Sequence, residues 1–178
     1  MSIQLKEKIN ISVDRLKNLS NVDLADLCNI TEQAISAGGG FGWLRVPTRE
    51  ILNQYWKNIT EDNLCNLIVG RLNGVIAGTL QLAYEAPNIE SRKNIAQIKR
   101  HFVAPWARGY GLAKSMIDFS EHKAREDNIK SIQLAVRETQ DAAVQLFSNR
   151  EYKIWGENPY YAFVNGSFVK GIYFYKNL

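Results

Sequence analysis

The chain of 178 residues has only 2 cysteines and 4 prolines. Cys28 and Cys65 lie far apart in apolar segments, so neither a disulfide framework nor a cysteine-built zinc site is available. A reduced, cytoplasmic setting and no metal are expected. No run approaches the about 20 apolar residues of a membrane-spanning helix, so membrane association is not expected. The first residues, MSIQLKEKIN, carry no apolar core of the signal-peptide kind, and export is not expected either. The patterns GxxxxGK[ST] and GxGxxG are both missing, which removes the P-loop and dinucleotide-fingerprint readings of any glycine turn. Acidic residues are missing locally: from Ser91 to Ile117 there are Arg92, Lys93, Lys99, Arg100, Arg108 and Lys114 but no Asp or Glu.

What remains is ample for a packed core. Hydrophobic residues make up 46% and aromatics 11%, which excludes disorder, and the length suits one domain over residues 1–178. The net charge of +4 and pI near 9.0 are mild, so a nucleic-acid partner is not expected. The carboxylate-free stretch reads either as a solvated basic face or as a positive field suited to a small polyanion.

Periodicity orders the elements. Ile9 to Val13 alternates as a first strand. Ser20-Asn21-Val22-Asp23 has capping-box spacing ahead of Leu24, Leu27, Thr31 and Ile35 at helical intervals. Gly38-Gly39-Gly40 stops that helix. Thr48 is placed to cap a second one, with Ile51, Leu52, Tyr55, Trp56 and Ile59 on one face. Leu64–Leu72 and Val75–Ala83 form a hairpin across Asn73-Gly74, and Ile95–Val103 is a fourth strand. A helix starting around Gly109 to Leu112 and running to about Asn128, a strand at Ile132–Val136 and a short helix at Asp141–Asn149 follow. Strand-like runs near Tyr161–Val164 and Gly171–Tyr175 end the chain. The order βααβββαβαββ implies a mixed α/β sheet with helices on its faces.

The informative segment is Ile98-Lys-Arg-His-Phe-Val-Ala-Pro-Trp-Ala-Arg108-Gly-Tyr-Gly-Leu-Ala113. A strand runs into a glycine-bearing turn that opens a helix. Unpaired backbone N–H groups and the positive helix end then converge on one point, which suits a phosphate or pyrophosphate.

Arg108-Gly-Tyr-Gly111-Leu-Ala113 resembles the (Gln/Arg)-x-x-Gly-x-(Gly/Ala) signature of the GNAT superfamily of acyl-CoA-dependent N-acetyltransferases. Val103-x-Pro105 upstream, the strand Ile132–Val136 and the helix turn Ala143-Val-Gln-Leu-Phe147 fit it as well. Within the superfamily, Ser115-Met-Ile, Gly156-Glu157-x-Pro159-x-Tyr161, the Gly166 turn and the ending Ile172-Tyr-Phe-Tyr-Lys resemble the tabtoxin-resistance acetyltransferase type. The resemblance implies a GNAT fold: about seven mostly antiparallel strands, splayed between the fourth and fifth, flanked by about four helices. It implies acetyl-CoA as co-substrate, its pyrophosphate on Gly109, Tyr110, Gly111, Leu112 and Ala113 with Arg108 nearby. The pantetheine arm would pair with the backbone of Phe102 and Val103 and meet Gln140, which stands where many members carry Asn. The acceptor would be a primary amine of a small molecule, and the protein a monomer or homodimer.

The chain departs from the family at two chemical positions. Gln97 occupies the place of a frequent Glu base, and Phe147 that of a Tyr acid. His101 shares strand parity with Gln97 and is therefore expected on the same face, as a candidate base; the alternative is a packed, semi-apolar filler. Tyr161 is the candidate acid, and Trp43 and Gln97 are candidate acceptor contacts. Two other readings stay open: transfer to a protein lysine or N-terminus, and a CoA-binding module without chemistry.

Overall fold

The computed structural model describes residues 9–39 and 41–178; residues 1–8 and Gly40, the middle of the expected helix stop, lie outside them. The elements run β1 (Ile11–Arg15), α1 (Asn21–Ser36), α2 (Arg49–Glu61), β2 (Cys65–Leu72), β3 (Val75–Tyr84), β4 (Ile95–Val103), α3 (Leu112–Glu126), β5 (Ser131–Arg137), α4 (Asp141–Asn149), β6 (Lys153–Val164) and β7 (Ser167–Asn177). Local chemistry explains their ends. Ser20 Oγ accepts the Asp23 N–H at 3.0 Å, closing the N-terminus of α1. At its other end Gly38 is left-handed (φ +76°), and the N–H groups of Gly38 and Gly39 return to the carbonyls of Ile35 and Ala34. Thr48 holds the cap position of α2 but makes no side-chain cap bond, and Ile51 is exposed rather than on the buried face.

Seven strands lie in the order β1-β2-β3-β4-β5-β7-β6, antiparallel except for the parallel β4–β5 pair. Alternation along the strands feeds two cores. Leu67 and Val69 join Leu27, Leu52, Trp56 and Phe41 under α1 and α2. Ile68, Leu80, Leu82, Ile98, Ile132 and Phe174 join Leu112, Met116 and Phe147 under α3 and α4. Both cysteines are buried and free, and burial pushes the Cys65 thiol up to about 11.

Two of the predicted strands are longer than expected. The last pair spans Lys153–Val164 and Ser167–Asn177. Gly156 and Pro159 read as strand breakers, but register shifts between Ile154 and Gly156 and between Asn158 and Ala162 absorb both as bulges.

One contact sets the height of α3 over the sheet. Gly70 and Gly78 are cross-strand partners on the α3 face. A Cβ on Gly70 would lie 2.7 Å from Leu112 Cγ, and one on Gly78 would lie 2.8 Å from both Met116 Cε and the Phe102 carbonyl oxygen. The pair forms a bare patch on which the first turns of α3 rest. Gly78→Ala meets a backbone oxygen that cannot yield, so it should destabilise the fold by roughly 1–3 kcal/mol in urea denaturation; an unchanged midpoint would refute this seating.

Candidate active site

The parallel β4–β5 ladder covers only Ile95, Ala96 and Gln97, paired with Ser131, Ile132 and Gln133. Beyond Gln97 the two strands part, while β4 stays bonded to β3 up to Val103. Ala104 N–H donates to the Ala77 carbonyl at 2.8 Å, which makes Val103–Gly78 a non-hydrogen-bonded pair. The N–H and C=O of Val103 therefore point away from β3, into the opening. Phe102, expected to share that edge, turns its peptide groups to β3 by the same alternation. Its ring goes into the α1/α2 core, 6.1 Å from Phe41.

At the mouth of the opening the chain turns into α3. Gly109 (φ +84°) and Gly111 (φ +80°) are both left-handed and exposed, with open space where a Cβ would stand. The strain of that φ, rather than crowding, is what demands glycine here. Among the described residues, none of the N–H groups from Gly109 to Lys114 has a backbone acceptor; the first bond of the helix runs from Ser115 N–H to the Gly111 carbonyl at 3.0 Å. Arg108 and Tyr110 are exposed beside them, and Leu112 anchors the turn in the core. The expected cradle of donors is present as backbone geometry.

The strand parity assigned to His101 does not hold. Thr79 pairs with Phe102 and Gln81 with Lys99, so β4 carries one extra residue between them. Arg100 takes a positive φ of 50°, and its carbonyl accepts the Thr79 hydroxyl at 3.0 Å. This β-bulge reverses the alternation. Gln97 and Lys99 stay on the α1/α2 face with their partners Ala83 and Gln81, whereas His101 and Val103 face α3 and α4. The His101 ring stands edge-on to Phe147, centroids 5.6 Å apart. Its Nε2 is enclosed without a partner, and burial pushes the imidazole down to about 4, the nearby Ala113 backbone offsetting a part. A ring so weakly basic cannot take a proton from an ammonium ion at neutral pH.

The other candidates gather on the opposite face. Trp43 is half-buried, 5.1 Å from Tyr55, whose hydroxyl accepts from Gln81 Nε2 at 2.8 Å. Gln140 Nε2 donates to the Gly38 carbonyl at 3.3 Å, and Arg137 Nη2 donates to the same oxygen at 2.6 Å. The end of β5 is thereby tied to the loop after α1. Tyr161 lies over Gly171, where a Cβ would run into its ring, and 6.0 Å from Tyr173. Burial raises its phenol, while Arg100 and Arg137 pull it partly back. The sequence reading counted Arg100 only in the basic stretch and missed Arg137, because neither a bulge nor a cross-strand neighbour is visible in spacing alone.

A splayed sheet whose opening meets a bare helix N-terminus defines an acyl-CoA-type transferase site. The match to the acetyltransferase (GNAT) family model over residues 26–152 agrees, and the chain belongs to that family. It is 44% identical over 131 residues to an uncharacterized N-acetyltransferase encoded in the hisH–hisA intergenic region of Azospirillum brasilense, covering 74% of this chain and 78% of that one. Among solved structures it resembles the phosphinothricin acetyltransferase of Sinorhizobium meliloti in complex with AcCoA (TM-score 0.77, 14% identity, 94% of this chain and 88% of that one). It also resembles the ribosomal-protein-alanine N-acetyltransferase of Brucella melitensis (TM-score 0.76, 17% identity, 94% and 99%).

The low imidazole pKa has a stability consequence. With a folded value of about 4 against an ordinary 6.5, the fold favours the neutral ring. Its contribution is complete above pH 6.5 and drains away as the pH falls toward 4, reaching about 3 kcal/mol at most. His101→Leu should flatten this part of the acid limb of stability against pH; an identical acid limb in the variant would contradict the enclosed ring.

Proposed function

We propose that the protein transfers the acetyl group of acetyl-CoA to a primary amine of a small molecule, by direct attack within a ternary complex. The observation that supports this reading most is the row of acceptor-free N–H groups from Gly109 to Lys114 beside the unpaired edge of Val103. The diphosphate would rest on Gly109, Tyr110, Gly111, Leu112 and Ala113, with Arg108 as its cation. The pantetheine arm would extend the sheet along Val103, with Phe102 walling the opening from behind. Gln140, already turned to Gly38, would flank that arm rather than grip it.

In the chemical step the amine lone pair forms the C–N bond at the thioester carbonyl, and the C–S bond then breaks. The Val103 N–H faces the opening and would hold the developing oxyanion. His101, neutral and enclosed beside Phe147, leaves the role of base, and the departing thiolate would take its proton from water. The amine proton passes to water, since Gln97 is an amide. Tyr161 keeps its proton at neutral pH and lines the acceptor side with Gln97 and Trp43. The C-terminal likeness to the tabtoxin-resistance type favours an acceptor built like an amino acid.

Acetyl-CoA well above its Kd should raise the melting temperature by roughly 5–10 °C. S-acetyl-N-acetylcysteamine, a thioester without the diphosphate, should leave it unchanged at the same concentration. Equal shifts by both would remove the cradle from the account. Thiol release with small amines then separates this reading from transfer to peptide amines and from binding without chemistry.

A further inference from the structure

Two arginines and a tyrosine meet on the acceptor face, and each is set there by a separate irregularity of the fold. Arg137 ends β5, where its cross-strand partner is Gly171. Gly171 has no side chain, and the ring of Tyr161 fills the vacant place. Tyr161 reaches it because β6 bulges between Asn158 and Ala162, a bulge held by the Tyr160 N–H donating to Asn158 Oδ1 at 2.9 Å. Cross-strand neighbours on one face stand about 5 Å apart, so guanidinium and phenol adjoin. Arg100 arrives from the bulge of β4, its Nη2 3.3 Å from where a Cβ of Gly42 would stand. The loop after α1 thus has Arg137 bonded at Gly38 and Arg100 beside Gly42.

The charge here has no carboxylate to answer it in the case of Arg137. Among the described residues Arg137 makes no salt bridge; its bond is to the neutral Gly38 carbonyl and occupies Nη2 alone. The carboxylates nearest along the strands, Glu138 and Glu157, are held by Lys170 at 3.6 and 3.0 Å. Glu157 pairs with Ile172 and so lies on the other face of the sheet. A guanidinium anchored through one nitrogen, with its other N–H donors left over, fits a planar oxyanion. A phenol that stays protonated supplies a further donor.

Resting on the acetyltransferase reading above, we infer that Arg137, Arg100 and Tyr161 form the binding site for a carboxylate on the acceptor, so that the substrate class is amino acids rather than simple amines. The purely structural alternative gives Arg137 the task of tying β5 to the loop after α1. The two differ in what an amide substitute does: loss of a tie slows every acceptor alike, whereas loss of a carboxylate site alters the choice between acceptors.

The test uses the full chain with acetyl-CoA and a panel of L-α-amino acids, each matched to its carboxamide and its decarboxylated amine. Thiol release gives kcat/KM, and melting of the acetyl-CoA complex gives binding. We expect the acids to be preferred over their amides by roughly 10–100-fold. That ratio should shrink at least tenfold in Arg137→Gln and recover in part in Arg137→Lys, with the KM for acetyl-CoA unchanged. Equal use of acid and amide, or an equal loss on both in Arg137→Gln, overturns the inference. So does an acetyl-CoA complex that neither turns over nor is stabilised by any acid of the panel. Failure of acetyl-CoA itself to bind would instead strike the acetyltransferase reading.

Discussion

The architecture depends on one partial ladder: β4 is hydrogen-bonded to β3 up to Val103 but to β5 only as far as Gln97. A parallel pair needs a crossover, and here the crossover is α3, which must begin just past the carboxyl end of β4. The helix N-terminus and the parted strands therefore arrive at the same place for a topological reason. Unpaired strand edges and unpaired helix N–H groups are both costly when buried, and the opening leaves both accessible to an extended, anionic ligand. The bare Gly70–Gly78 patch fixes how close that helix end comes to the sheet.

The second constraint is the residue inserted at Arg100. Without it, strand alternation would carry His101 toward α2 and leave Phe102 facing α3. With it, Phe102 completes the α1/α2 core and His101 takes a place among apolar groups, edge-on to Phe147. The bulge costs a positive φ at a long side chain, and the Thr79 hydroxyl on its carbonyl offsets part of that strain. What the sheet obtains is a change of sides in mid-strand: polar Gln97 on one face, His101 and Val103 on the other.

This difference marks what spacing along the chain can reveal. Element order, the Ser20 cap, the glycine stop, the Asn73–Gly74 turn and the strand Ile95–Val103 were legible because each depends on neighbours within about four residues. The cradle from Gly109 to Ala113 was legible for the same reason. His101 was misplaced because parity accumulates along a strand, and a single extra residue reverses everything beyond it. The full length of β6 was hidden because Gly156 and Pro159 break regular strands but are tolerated at bulges. Arg100 was legible only as one charge of the basic stretch, and Arg137 gave no signal at all: they are 37 positions apart in the chain, and only the Gly171 vacancy and the α1–α2 loop bring them to one face.

The absence of a carboxylate base at Gln97 bears on the form in which an acceptor reacts. An ammonium ion must lose a proton before it can attack, and in this site no acidic side chain stands at the usual position to take it. His101 does not make up the loss, because the bulge at Arg100 turns it to the α3 and α4 side and burial pushes its imidazole down to about 4. Gln97 is an amide, and the Tyr161 phenol, raised by burial, keeps its proton at neutral pH. Among these groups only water is left to carry the proton away, so on the acetyltransferase reading the acceptor must react from its neutral fraction, held in place rather than activated.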